Sequence, residues 1–335
     1  MENTNHTPKD IPVETVTSEA AVKKDYLIGR SIVISSLILA GAWMYKTPSQ
    51  GAPALLSEVR EAIPKSEQKV LPSEGITLPI VWGDLGLKLV SVGAIDADKF
   101  RAVYAERGTF TDEYKNLLIG QDNKELKLTR ENAGYLLNLF WALGLASKNQ
   151  ILESGEMANP AYGGAGNFAS TAGWTIAAGH PMDHYNRHMF FSMTEKQQKL
   201  VDKISRGIYR PCCNNSVHFP DCNHGMAMLG LLELMASEGA SEEDIWKTAL
   251  MVNSYWFPDT YLTIAAYMKN RGVEWENVNP QEMLGINYSS ASGFAKIAAQ
   301  VGERKQNQGQ GGCGVDRGQS VPVPTPPKVQ TGCGV

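Results

Sequence analysis

Little in this sequence belongs to the familiar catalytic vocabularies. There is no H-E-x-x-H pair for a zinc hydrolase and no C-x-x-C-H for covalent haem. No G-x-S-x-G elbow presents a serine nucleophile. The stretch Ala161 to Gly179, rich in Gly, Ala and Ser, has no lysine, no Gly-Lys-Ser/Thr ending and no strand-like run before it, so a phosphate loop is not expected there. Basic charge is also short: 31 Lys and Arg stand against 35 Asp and Glu, for a net charge of −4. Nucleic-acid binding draws its affinity from phosphate neutralisation, so no nucleic-acid partner is expected. Cysteine is scarce, at five in 335 residues, and unevenly placed. Cys212, Cys213 and Cys222 cluster, whereas Cys313 and Cys333 lie in a Gly/Pro-rich tail. Outside the cytoplasm an odd count leaves one thiol unpaired, metal-bound or joined to another chain.

Apolar content, in contrast, is ample at 43%, enough for a substantial core in a chain of one large or two small domains. Ser31 to Tyr45 (SIVISSLILAGAWMY) is a charge-free apolar run, extended on the near side of Arg30 by Tyr26 to Gly29. Arg30 can snorkel to the headgroups, which brings the span near the roughly 20 residues a bilayer requires. Trp43 and Tyr45 mark one interface and Tyr26 the other. Lys23, Lys24 and Arg30 before the run outweigh Lys46 after it, so the N-terminus is expected inside and the remainder outside. Ala40-Gly41-Ala42 offers a signal-peptidase-like alternative, but the long segment before the run favours an anchor. Both readings export the domain.

The expected fold is mainly α, arranged as follows. A cytoplasmic tail (1–25) leads to a transmembrane anchor (26–46) and a proline-punctuated stalk (47–75) with a short helix over Leu55 to Ile63. Residues 76–180 form a helical region with a Gly-rich loop. In it Asp96 to Tyr104 is a short helix, Thr111 caps another, and Thr129 caps the apolar RENAGYLLNLFWALGLA. The loop is expected to be a packed structural one; if it lies instead against another backbone or a ligand, Tyr162, Asn167, Phe168 and Trp174 are its contact groups. Residues 181–303 form a Cys/His helical region. Thr194 with Gln197, and more weakly Ser241 with Asp244, make capping patterns there, and Gly239 ends the helix between. The excess of Gln, Gly and Pro in 304–335 implies a disordered tail.

Five of the six histidines fall between positions 180 and 224 with three of the cysteines, and this is where chemistry is expected. In HPMDHYNRH, His184 and His188 stand four apart, which on a helix stacks them on one face as a metal-chelating pair. His180, before Pro181, suits a cap or loop. The alternative is a solvated face with Asp183 and Arg187 paired. Farther on, Cys212 and Cys213 follow Pro211 on a turn, and Cys222 and His224 open the helix Gly225 to Ser237. A thiol at a helix start feels the positive end of the dipole, so Cys222 is the expected low-pKa thiol. Adjacent cysteines rarely bond each other, which makes Cys222 the disulfide partner of Cys212 or Cys213. Three outcomes stay open: a structural disulfide, a redox pair, or a metal site of Cys212, Cys213, Cys222 and His224. Met226 and Met228 nearby incline such a site to soft ions, Zn or Cu.

Y-R-P-C-C (Tyr209 to Cys213), F-P-D-C-N-H-G-M-A-M (Phe219 to Met228) and Y-W-F-P-D-T-Y-L (Tyr255 to Leu262) resemble an uncharacterised family of membrane-anchored bacterial proteins. The same stretch is more distantly similar to the thiol-reductase subunit of cytochrome c maturation. Gly239-Ala240-Ser241-Glu242-Glu243-Asp244-Ile245 matches that family's G-x-S-x-E-E-I turn with one extra residue, and Cys212-Cys213 stands where it has C-x-x-C. A looser likeness is to membrane-anchored proteins with a P-C-Y-C-G-C motif. What these resemblances imply is a helical-hairpin scaffold bearing the Cys/His residues. The functional expectation is a membrane-tethered, extracytoplasmic thiol or metal-binding protein. Cys222, Cys212 and Cys213 would be its reactive thiols, and His184, His188 and His224 ligands or proton carriers. The rival expectation is a non-catalytic envelope or interaction protein stapled by a disulfide.

Overall fold

The structure, a computed structural model, describes residues 65–301. The 26–46 anchor, the Leu55 to Ile63 helix and the 304–335 tail lie outside the described residues. Among the described residues no helix is long and apolar enough to cross a membrane.

The described part is mainly helical. Helix α1 (Lys65–Val70) precedes strand β1 (Ile76–Gly83), and α2 (Leu85–Ser91), α3 (Ala97–Ala105) and α4 (Asp112–Ile119) lead to β2 (Asn123–Leu128). Then come α5 (Ala133–Ala146), α6 (Gln150–Ser154), α7 (Ala169–Ala172) and α8 (Glu195–Gly207). The Cys/His region holds α9 (Asn223–Ser237), α10 (Glu242–Trp256) and α11 (Pro258–Asn270). Three further helices, α12 (Pro280–Leu284), α13 (Ile286–Ser289) and α14 (Ala291–Val301), close the described chain.

Helix α5 is apolar all round, and only Gly134 in it escapes burial. Such a helix belongs at the centre of a fold. Its main partner is α9, also buried along almost its whole length. The two backbones touch at glycines. A Cβ on Gly144 would lie 2.1 Å from the Met226 carbonyl oxygen, and one on Gly230 would lie 2.5 Å from that of Phe140. Neither position tolerates a side chain while the crossing stands, so these glycines set how deep α9 sits. That depth in turn fixes the N-terminal end of α9, which bears Cys222.

Local signals place the helices around this pair. Asp96 accepts from the Asp98 and Lys99 amides to start α3, and Thr111 accepts from Tyr114 to start α4. Thr194 and Gln197 form the reciprocal capping box of α8. Ser241 caps α10 through the Asp244 amide. Gly239, at φ 82°, ends α9 in the left-handed conformation that glycine adopts freely.

Three features depart from the sequence reading. Residues 76–83 and 123–128 form an antiparallel ribbon rather than helices, with Ile76 opposite Leu128 and Gly83 opposite Asn123. Leu78, Ile80 and Trp82 alternate into the core, and Pro79 falls where the register is irregular, a position a proline can take in a strand. The apolar helix starts at Ala133 rather than after Thr129. Thr129 and Asn132 instead exchange side-chain hydrogen bonds with each other's amides ahead of it. The end of the region read as stalk packs into the domain: Val70 and Leu71 are buried, and the Tyr255 hydroxyl donates to the Pro72 carbonyl.

Candidate functional site

The turn after Pro211 carries Cys212 and Cys213, and Cys222 is the N-cap residue of α9. Several contacts hold the turn against that helix end. Val217 donates to Ile208 and Tyr209 to Leu284, each at 2.8 Å. The first amide of α14, at Ala291, donates to the Cys213 carbonyl, and Ser292 donates to the Asn214 side chain. From the other side the Gly-rich segment closes in. The Ser170 amide donates to the Asp221 carbonyl, and Tyr162 and Phe168 both pack on Phe219 with ring centroids 5.3 Å away. Of the four contact groups expected in that segment, Tyr162 and Phe168 reach the cysteine motif. Trp174 is buried and donates to Ala94, and Asn167 bonds within its own turn.

Two donor sets meet on Cys222. Cys212, Cys222 and His224 form one, and Cys213, Asp221 and Cys222 the other, each with ligand atoms within 4.8 Å of one another. Cys212 Sγ and Cys222 Sγ are 3.6 Å apart, and all three cysteines are thiols. Cys213 and Cys222 are buried, so Cys212, partly exposed, is the side from which solvent or an ion arrives. His224 stacks on Phe257 with ring centroids 4.4 Å apart, and its Nδ1 is buried without a hydrogen-bond partner among the described residues.

Beneath the sulfurs lies Arg210, wholly buried. Its guanidinium donates to the Ser216 and Phe219 carbonyls and pairs with Asp221. A charge this deep is stable only with such partners. Its effect falls on the thiols. Hydrogen bonds from Cys212 and Cys213 hold the Cys222 thiol well below its ordinary range, and the Arg210 charge and a His224 hydrogen bond add to them, overcoming burial. Cys212 is pushed up by its hydrogen bonds to Cys213 and Cys222 and then by burial. Cys213, drawn down by Cys212 but raised more by Cys222 and burial, is pushed up to about 11. The arrangement thus favours ionisation at Cys222 over its two neighbours. Burial raises Asp221 against the pull of Arg210.

The first histidine group does not join this site. Residues 184–188 are not a helix. Only Pro181–Asp183 makes a single 3-10 turn, and Asn186 takes φ 53°, which reverses the chain. His184 and His188 still meet, with Nδ1 and Nε2 3.4 Å apart, because the turn folds them together. His184 also bonds the Ala178 carbonyl through Nε2, and among the described residues neither ring belongs to a donor set of three. Burial, then the charges of His184 and Arg187, lower the His188 pKa. His180 is the cap of the turn, accepting from the Met182 amide, while Asp183 accepts from the His180 amide rather than pairing with Arg187.

Arg210, Asp221 and a buried carboxylate, Glu233, were not singled out by the sequence reading. The signal for them was present: Asp221 directly precedes Cys222, Arg210 stands two residues before Cys212, and Glu233 is the only charge in an otherwise apolar run, Gly225 to Ala236. No protein-family model, curated protein or solved structure matches the chain.

Proposed function

We propose that this chain carries a membrane-tethered, extracytoplasmic thiol centre that binds a soft metal ion, Zn or Cu(I). The observation that carries the reading is the convergence of Cys212, Cys222 and His224 beside a buried cation. The 3.6 Å between the two sulfurs is close to the ~3.8 Å that separates two thiolates on a tetrahedral ion with bonds of ~2.3 Å. Two thiolates and a neutral imidazole around Zn²⁺ carry no net charge, and around Cu(I) they leave one negative charge for Arg210 to face. The unpartnered His224 nitrogen and the ready Cys222 thiolate both suit a ligand role. Export and tethering rest on the charge asymmetry around residues 26–46.

The same sulfur contact favours one second reading, thiol–disulfide exchange. The Cys222 thiolate would attack an external disulfide and release one thiolate. Cys212 would then resolve the mixed disulfide, releasing the second thiol and leaving Cys212–Cys222 oxidised.

Elemental analysis of the purified full chain, with thiol counts before and after mild dithiol, separates the readings. About one Zn or Cu per chain is expected, lost in Cys222→Ser. A metal-free chain whose disulfide opens under mild dithiol without unfolding supports exchange instead. A metal-free chain whose disulfide resists that treatment makes the cysteines staples of a non-catalytic envelope or interaction protein.

A further inference from the structure

Of the histidines between positions 180 and 224, His224 belongs to the thiol centre and His180 caps its own turn. His218 is buried with carboxylates at both ring nitrogens, Glu156 at 2.5 Å from Nδ1 and Asp202 at 2.9 Å from Nε2. That leaves His184 and His188, which face each other through nitrogens 3.4 Å apart.

The pair is held from outside itself. His184 Nε2 lies 2.8 Å from the Ala178 carbonyl oxygen. A carbonyl only accepts, so Nε2 carries a proton. In the neutral ring Nδ1, the nitrogen turned to His188, then keeps its lone pair. Metal-binding histidines adopt this arrangement, because an N–H engaged by a backbone carbonyl fixes both the tautomer and the direction of the ring. The His184 ring also packs on Gly93, where a Cβ would come within 3.1 Å of Cε1. The backbone is as fixed as the ring. The amides of Asn186 and His188 donate to the Leu145 and Ala146 carbonyls at the end of α5, and the Asn186 side chain accepts from the Asn149 amide. The turn that carries both histidines is therefore mounted on one buried helix. His184 is buried and His188 half-buried, so the pair meets solvent on the His188 side.

The separation decides what the pair can hold. Hydrogen bonds from N–H donors usually span about 2.7–3.2 Å, so 3.4 Å is long for one ring donating to the other. Two nitrogens bound at ~2.0–2.1 Å to one tetrahedral ion stand about 3.3–3.4 Å apart, whereas neighbouring nitrogens on a square-planar ion stand about 2.8–3.0 Å apart. Among the described residues no third His, Cys or carboxylate atom joins the pair. A tetrahedral ion held here keeps two positions for other ligands, unlike an ion in a closed structural site.

We propose that His184 and His188 form a second metal site, separate from the thiol centre: a preset two-imidazole chelate for a tetrahedral divalent ion, Zn²⁺, with two positions left for water or an incoming ligand. With two protein ligands it is an exchangeable site. It does not depend on whether the cysteines bind metal.

Zinc chloride titrated into the full chain in detergent, followed by ring-nitrogen chemical shifts, tests it. The His184 Nδ1 and His188 Nε2 signals should move together to metal-bound values and saturate at one ion per pair, with His184 Nε2 still protonated. Calorimetry on His188→Gln should show one class of Zn²⁺ binding lost or weakened about 10-fold or more, and any other class as in the parent. The nitrogen shifts need no variant, so they decide the matter even if His188→Gln does not fold. Ring nitrogens that stay put, or that move only at millimolar zinc as for an adventitious ion only, overturn the proposal. So does a His188→Gln isotherm that superimposes on the parent's. A parent that binds zinc on its cysteines alone overturns this second site and leaves the thiol centre standing.

Discussion

Arg210→Met should destabilise the domain by about 3–5 kcal/mol, the usual cost of breaking a buried ion pair from one side, and should raise the pH at which Cys222 ionises. The first effect follows from what remains. Asp221 would keep its Asn215 hydrogen bond but lose the cation it pairs with, and the Ser216 and Phe219 carbonyls would lose the guanidinium donor. The second follows from electrostatics, since the variant removes a positive charge that acts on all three sulfurs. Arg210→Lys is the informative companion. An ammonium keeps the charge but cannot fork to three acceptors, so it should recover part of the thiolate shift and little of the stability. Denaturant midpoints and alkylation rates, measured on the same preparations, check the two effects. Equal stability of parent and Arg210→Met would show that the guanidinium holds nothing in place.

Glu233→Gln should do the opposite and stabilise the fold at mildly alkaline pH. Glu233 lies in the α5–α9 core with no exposure, accepting from the Asn149 side chain. Burial pushes its carboxyl up to about 8, against the pull of Asn149 and Ser147. A group that keeps its proton in the fold and loses it in the unfolded chain makes the unfolded state gain as pH rises. The contribution is therefore complete below the ordinary carboxylate range and is lost progressively as pH rises through about 8. Each pH unit across that window is worth about 1.4 kcal/mol, so the total is on the order of a few kcal/mol. The stability difference between Glu233→Gln and the parent should grow steadily from pH 5 to pH 8. A flat difference would place the ionised carboxylate at ease in the core, with partners beyond Asn149.

Much of the helical layout could be read directly, because its signals are local. Thr194 with Gln197, Thr111, Asp96 and Gly239 act within one turn of chain, and each works as its residue type requires. The ribbon was hidden because β1 and β2 find each other across some forty residues, and Pro79 inside β1 argues against a strand until its register irregularity is known. The histidine pair shows the converse. Spacing placed His184 and His188 on a helix face, but the left-handed Asn186 between them replaced the helix with a turn that brings the rings together by another route. Cys222 at a helix start was legible, since helix dipole and cap position are properties of the local sequence. Arg210 as its counter-charge was not, because only the folded turn brings position 210 under position 222. The same holds for His218, whose partners Glu156 and Asp202 lie 62 and 16 residues away.

The central claim is that one of these thiols, Cys222, is a thiolate in the resting fold. Its most direct test is a pH titration of ultraviolet thiolate absorbance on the reduced, metal-free full chain, with Cys222→Ser alongside. The account predicts one thiolate already present at neutral pH in the parent and absent in Cys222→Ser. A parent that shows no thiolate until the pH approaches the ordinary thiol value of about 8.5 would contradict it.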